Sequence, residues 1–155
     1  SGWDVIESGA WTVRASSGDS PESAKKYLID RAKLVGANAL IELEYYKTTG
    51  SKGNYRYSVH NYRARVVTLA KRNSLGKYTS EQLLGLNKRS ADLKKTLLEQ
   101  TKRSRKIERN TWVIIVVLSV LLVFIDPRLI IVLLIVGFFV GRSSDFDSWL
   151  EPVKG

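Results

Sequence analysis

Two stretches without a charged residue, Trp112 to Ile125 and Leu129 to Gly141, dominate the last third of this 155-residue chain, and Asp126, Pro127 and Arg128 stand between them. Whatever the chain folds into must find cover for these surfaces. Each run amounts to about 14 residues, or about 21 Å of helix, against a bilayer hydrocarbon core of about 30 Å. Asn110, Thr111, Ser143 and Ser144 extend each to about 25 Å if the bilayer thins or the flanks snorkel. A single helix over 112–141 would place Asp126 and Arg128 in mid-bilayer at about 2.5–3.5 kcal/mol each, with about 3 kcal/mol more for the proline break. A helical hairpin turning at Asp126, Pro127 and Arg128 avoids both costs. The expectation is therefore a transmembrane hairpin over 111–142 with a membrane turn at 126–128. A helical pair buried in a soluble fold is the weaker alternative, because neither run has a polar face.

Charge sharpens this expectation. Residues 71–110 carry twelve basic and four acidic side chains, whereas residues 1–70 and 111–155 are close to balanced. Lys102, Arg103, Arg105, Lys106 and Arg109 crowd the entry to the first run and Arg142 follows the second. Positive-inside logic puts both ends in the cytoplasm, with these six residues as lipid-headgroup contacts and Trp112 and Trp149 as interface anchors. The expected location is a membrane, the bacterial inner membrane, and the expected partners are anionic headgroups. Nucleic acid is the weaker partner, since membrane adjacency explains the same charge. The start, Ser-Gly-Trp, carries no basic segment followed by an apolar one, so no signal peptide is read there.

The first 72 residues have a different pattern. Residues 3–15 are rich in Trp, Val, Ile and Thr and read as a strand interrupted near Gly9. Ser20 and Pro21 form a helix start, Ala24, Leu28, Ala32 and Val35 recur at helical spacing, and Gly36 suits the left-handed residue that ends a helix. Residues 39–46 alternate, with Ala39, Ile41, Leu43 and Tyr45 as an apolar face opposite Glu42 and Glu44. After a Gly-rich turn, residues 55–70 alternate again. The fold class is α+β: a cytoplasmic β-α-β-β domain over 1–72, a basic amphipathic stalk helix over 73–110, the hairpin, and a cytoplasmic tail over 143–155. In the stalk Leu83, Leu86, Ser90, Leu93, Leu97, Gln100, Ser104 and Ile107 form a half-apolar heptad seam.

Few residues offer chemistry. There is no cysteine and a single histidine, His60, so no metal or other cofactor is expected. No nucleophile–base pair or phosphate-binding loop is apparent, which argues against an enzyme and for no catalytic residues. Glu42, Glu44 and His60 form the candidate ligand site; the plainer reading of the two glutamates is a solvated face paired with Arg56, Arg63 or Arg65 on the next strand.

The stretch LIDRAKLVGANALIELEYY, with its helix closing on Gly36, Ala37, Asn38 and Ala39 and leading straight into a strand, and the later RARVVTLAK resemble the YbjQ-like family, whose label is heavy-metal binding. The likeness covers about residues 5–70. It implies a compact β-α-β-β unit that assembles into rings and a bacterial origin; Arg63-Ala64-Arg65-Val66-Val67 departs from the Gly-Thr-Ala-like end of the family's last strand. A unit of about 70 residues buries only about 60% of its surface, so a homo-oligomer is expected on physical grounds too. The functional expectation is a membrane-anchored oligomeric scaffold, sensor or recruitment protein, and the alternative an oligomeric membrane-perturbing effector or channel.

Overall fold

The computed structural model describes residues 2–71, 76, 78–123, 128–140 and 142–153. The chain divides into two compact units, Ser1–Lys94 with Ser148–Gly155, and Lys95–Asp147.

In the first unit, strand β1 (Asp4–Ser17) leads to helix α1 (Pro21–Val35), then β2 (Ala39–Lys52), β3 (Tyr55–Ala70), the short helix α2 (Ser80–Leu83) and the first turns of α3 (Leu86–Val123); β4 (Leu150–Pro152) returns from the end of the chain. The antiparallel sheet has the order β2-β3-β1-β4. Ser20 caps α1 by accepting from the Ser23 amide at 3.0 Å, and Pro21 stands where no helical N–H is needed. Gly36, at φ 83°, ends it, with its own N–H and that of Ala37 donating to Lys33 and Ala32 carbonyls. Asn38 then acts as a piece of strand: its side chain donates to the Leu69 carbonyl and accepts from the Leu69 amide, which sets the register of β2 against β3.

Ala24, Leu28, Ala32 and Val35 are all buried, and α1 packs on β1 and β3 over Val13, Ala15, Ala64 and Val66. Gly9 lies in the interrupted part of β1, where the register shifts between Ser8 and Thr12. A Cβ there would stand 2.3 Å from the Val66 carbonyl oxygen, so only glycine fits.

Strand β2 does not have the buried apolar face its alternation predicts. Residues 42–49 are exposed on both sides. A bulge between Ile41 and Glu44 sets two residues, Glu42 and Leu43, opposite one on β3, so Ile41 shares the face of Arg65 while Leu40 pairs with buried Val66. The helix, moreover, packs on β1 and β3 and leaves the β2–β3 ribbon uncovered; that ribbon runs on to a two-residue turn at Gly53 and Asn54, six residues beyond the expected strand end at Tyr46. The tail, expected to be separate, instead supplies β4, whose Leu150 is fully buried opposite Val13.

The second unit holds the rest of α3, helix α4 (Arg128–Val140) and the segment after it. The two helices run antiparallel: Gly137 of α4 lies against Ile115 of α3, and farther on the Ser144 amide donates to Ser104 Oγ and the Phe146 amide to Thr101 Oγ1. A hairpin thus forms. Among the described residues no helix is long and apolar enough to cross a membrane. Helix α4 has 13 residues, about 20 Å, and the apolar end of the 38-residue α3 begins only at Trp112. Ser143 and Ser144, expected to lengthen the second run, lie beyond the end of α4 at Val140. The transmembrane hairpin and the inner-membrane location are therefore corrected, and with them goes the element on which a membrane anchor or a channel depended. Asp126 and Pro127 lie outside the described residues; Arg128 opens α4.

Gly85, at φ 99°, separates α2 from α3, so Leu83 belongs to a different helix from the rest of the seam. Along α3 the less exposed side runs through Leu86, Ser90, Leu93, Leu97, Thr101, Ser104, Glu108, Thr111, Ile115 and Ser119, while Gln100 and Ile107 are exposed. The spacing has relaxed from the heptad's 3.5 towards the 3.6 of a straight helix, which drifts off a strict seven-residue seam by about 20° per heptad.

Candidate functional site

The sheet face that carries Thr12 and Arg14 on β1 and Arg63 and Arg65 on β3 is occupied by charge. In register, Glu44 stands opposite Arg63 and Arg63 opposite Arg14, while Arg65 lies opposite Thr12 and Thr12 opposite Glu151. Arg14 and Arg63 are thus like charges directly across two strands, an arrangement that needs compensation. Glu151 gives it to Arg14 at 2.7 Å; Glu44 approaches Arg63 at 3.8 Å and Glu42 approaches Arg65 at 3.5 Å. Arg65 is also anchored by its Nε, which donates to the Gly9 carbonyl at 2.8 Å. The pairing of Glu42 and Glu44 with Arg65 and Arg63 follows the cross-strand reading of the sequence.

The bulge shapes this face. Glu42 has φ 53°, a left-handed conformation that costs a non-glycine residue energy and is found where surrounding structure enforces it. Between the glutamates and the arginines lies an open cavity of about 190 Å³, lined by Thr12, Glu42, Glu44, Arg63, Arg65 and Val153 among others. Two buried nitrogens, the Nε of Arg14 and of Arg63, have no hydrogen-bond partner.

His60 does not join the two glutamates. It pairs with Lys47 on β2, three β3 residues away from Arg63, and strand alternation puts it on the opposite face. There its Nδ1 is 2.8 Å from the Tyr45 hydroxyl and its ring stacks on Tyr45, which in turn packs on Tyr62. The candidate trio is therefore two separate groups: a charged cleft with Glu42 and Glu44, and an aromatic cluster with His60. Among the described residues no three His, Asp or Glu side chains converge as a metal-binding set.

Trp149 packs within the first unit: the Arg31 guanidinium stands over its ring at 5.4 Å, and its carbonyl accepts from the Arg14 amide. Arg31 also donates through Nη1 to the Arg14 carbonyl, and burial lowers its pKa. Trp112 is exposed on α3, and Lys102, Arg103, Arg105, Lys106 and Arg109 are exposed along the same helix; Arg142 is exposed beyond α4.

The second unit is apolar on the outside. Val113, Ile114, Val117, Ile131, Ile135 and Phe138 are each more than half exposed, whereas Thr101 is buried and bonded to Asp147 Oδ1. Ile131, Leu134, Ile135, Phe138 and Phe139 line a shallow groove of about 330 Å³ on α4.

Sequence reasoning missed Arg14, Glu151 and Glu7. Glu7 accepts from the Leu86 and Asn87 amides at 2.7 and 2.9 Å and so caps α3 from a distant strand. Desolvation raises its pKa, but these backbone hydrogen bonds, one from Gly85 and the charge of Arg89 outweigh it, and the carboxyl sits below its ordinary value. No local signal marks a cap 79 residues away. For Glu151, the clue available was the alternation of Leu150, Glu151 and Pro152, too short to read as a strand. No protein-family model, curated protein or solved structure matches the chain.

Proposed function

We propose that this chain is a non-catalytic scaffold or recruitment module that assembles with further copies of itself through its helical pair. The observation that carries the reading is the outward apolar surface of α3 and α4, where Val113, Ile114, Val117, Ile131, Ile135 and Phe138 are each more than half exposed. The groove on α4, bounded by Ile131, Ile135 and Phe138, has the form that a ridge of a neighbouring helix fills. The exposed basic residues from Lys102 to Arg109 sit on the same helix and repel their counterparts on other copies, so assembly strengthens as salt screens them. Attraction of this segment to an anionic surface has the opposite salt dependence. The resemblance of residues 5–70 to the YbjQ-like family, carried by the Gly36–Ala39 connection, implies self-assembly of the first unit and adds to the proposal only that copies of the chain associate.

The test is the mass of the full chain in solution at low and high salt, compared with a variant carrying Ile135→Asn and Phe138→Asn. A multimer that gains mass with salt and falls to a monomer in the variant is expected. A variant with the parent's mass, or a parent that is monomeric at every salt concentration, overturns the reading.

A further inference from the structure

We propose that the cleft beneath the β2 bulge binds a tetrahedral oxyanion, a phosphate or sulfate group, with Arg63 and Arg65 as its ligands and Glu42 and Glu44 as resident counter-ions that the anion displaces. The proposal concerns a different part of the molecule from the assembling helices and does not depend on them.

The ion pairs on this face differ in quality. Arg14 and Glu151 meet at 2.7 Å, the length of a strong charge-assisted hydrogen bond. The pairs of Arg63 and Arg65 are longer, 3.8 and 3.5 Å, and neither has the geometry of a two-pronged guanidinium–carboxylate contact. Both glutamates hold their places with side chains about 60% exposed, where attraction is weakened by solvent. The guanidinium forks therefore retain donor capacity.

One of those donors has a specific need. The Nε of Arg63 is buried and has no acceptor, and a buried N–H without a partner costs free energy. Arg63 also faces Arg14 across the strand pair, so a second negative charge here relieves a repulsion that Glu44, held at 3.8 Å, offsets incompletely. Arg65 is held in position by its Nε bond to Gly9, which leaves its terminal nitrogens for a ligand. Thr12, whose hydroxyl lies 3.3 Å from the Glu151 carbonyl, supplies a further polar group to the wall.

A group with several acceptor oxygens meets donors from two arginines better than a single carboxylate does. The cavity, about 190 Å³, has room for a phosphoryl group and opens on the side of Glu42 and Glu44. The bulge holds Glu42, at φ 53°, beside the arginine it pairs with, so an anion on Arg65 competes directly with that carboxylate.

The counter-ion role gives the proposal a sign that other ligand classes reverse. Titration of the full chain with inorganic phosphate, followed by calorimetry and by backbone amide shifts at Glu42 and Arg65, is the measurement. Arg63→Gln and Arg65→Gln are expected to weaken binding about tenfold or more each. Glu42→Gln and Glu44→Gln are expected to strengthen it several-fold, because they remove a competitor for the arginines. Weaker binding in the glutamine variants of Glu42 and Glu44 would make the carboxylates ligands, as for a cation, and overturns the proposal. So does phosphate affinity unchanged by either arginine substitution, or no binding at all. Should an arginine variant fail to fold, the two exposed glutamates decide alone. O-phosphoserine, run in parallel, separates the sources: affinity at least equal to that of inorganic phosphate assigns the site to a phosphoryl group on a larger molecule, and clear preference for inorganic phosphate assigns it to the free ion.

Discussion

Helix α1 and the α3–α4 pair are both amphipathic in the literal sense, yet they face opposite ways. Helix α1 buries Ala24, Leu28, Ala32 and Val35 and turns Glu22, Lys25, Lys26 and Lys33 outward. In the second unit the less exposed side combines polar and small residues, Thr101 and Ser104 on α3 and Gly137 on α4, with Ile115, Ile130 and Leu133, while Val113, Ile114, Val117, Ile131, Ile135 and Phe138 are more than half exposed. Gly137 sets the closeness of the pair: a Cβ there would stand 2.3 Å from Ile115 Cδ1, so the Ile115 side chain packs directly on the backbone of α4. Apolar content alone therefore does not indicate where a helix is stabilised. The first unit buries its apolar side chains in its own interior; the second leaves many of the described ones exposed.

The contrast predicts very different costs for removing apolar groups. The largest belongs to Leu28→Ala: Leu28 is 1% exposed between helix and sheet, and a cavity there costs about 2–5 kcal/mol. Urea unfolding followed by the fluorescence of the tryptophans should show a lower midpoint with an unchanged slope. A loss below about 1 kcal/mol would mean that the interior under α1 is not the source of the unit's stability. Next comes Gly9→Ala. The obstructing atom is the backbone oxygen of Val66, which cannot rotate away, so β1 and β3 must separate locally, at about 1–3 kcal/mol. Thermal unfolding of this variant measures the closeness of the two strands at the interruption in β1.

The legible parts of the molecule were those set by local chemistry. The Ser20–Pro21 start, the four buried positions of α1 and the Gly36 stop depend on residues within one helix, and the sequence carries all of them. The Gly-rich turn was legible only coarsely, since residues 47–52 extend β2 and the turn itself is Gly53 and Asn54. Strand β2 was misread because its alternation, Ala39, Ile41, Leu43, Tyr45, is true of the sequence but is broken in the fold by a bulge, and because nothing in the strand itself reveals that α1 packs mainly on β1 and β3. In the charged cleft, the pairing of the glutamates with Arg63 and Arg65 was legible from cross-strand logic. The contributions of Arg14 and Glu151 were not, since they require β4 to cross from the far end of the chain. The apolar runs were legible as a helical hairpin, and the error lay in their flanks: Ser143 and Ser144, counted as an extension of the second helix, lie beyond its end at Val140.

Glu7 tests the point where the long helix leaves the first unit. Replacing it with Ala strips two amides at the start of α3 of their acceptor and should cost about 1 kcal/mol. The pH dependence has a definite sign. Because the folded carboxyl is held below its ordinary value, its contribution is complete at neutral pH and is lost as the pH falls through the folded pKa. The stability difference between the parent and Glu7→Gln should therefore shrink on acidification. A difference that grows towards low pH would show that the carboxyl is not the cap.

The smallest effect on folding is expected at the residue that looks most hydrophobic. Phe139 is 78% exposed, and its described ring contact is edge-on with its neighbour Phe138. Replacing a side chain that is already in solvent removes little buried area, so Phe139→Ser should leave the stability of the dissociated chain within about 0.5 kcal/mol of the parent. The comparison becomes sharpest when this variant is measured at two protein concentrations. If other copies cover the helical pair, the parent unfolds at a higher temperature as concentration rises, through mass action, and the variant gains less. Equal and concentration-independent melting of both would leave the outward apolar face uncovered by self-association and remove the contrast between the two units. A large loss at low concentration would instead mean that Phe139 is buried within the single chain, and that the second unit, like the first, is stabilised from inside.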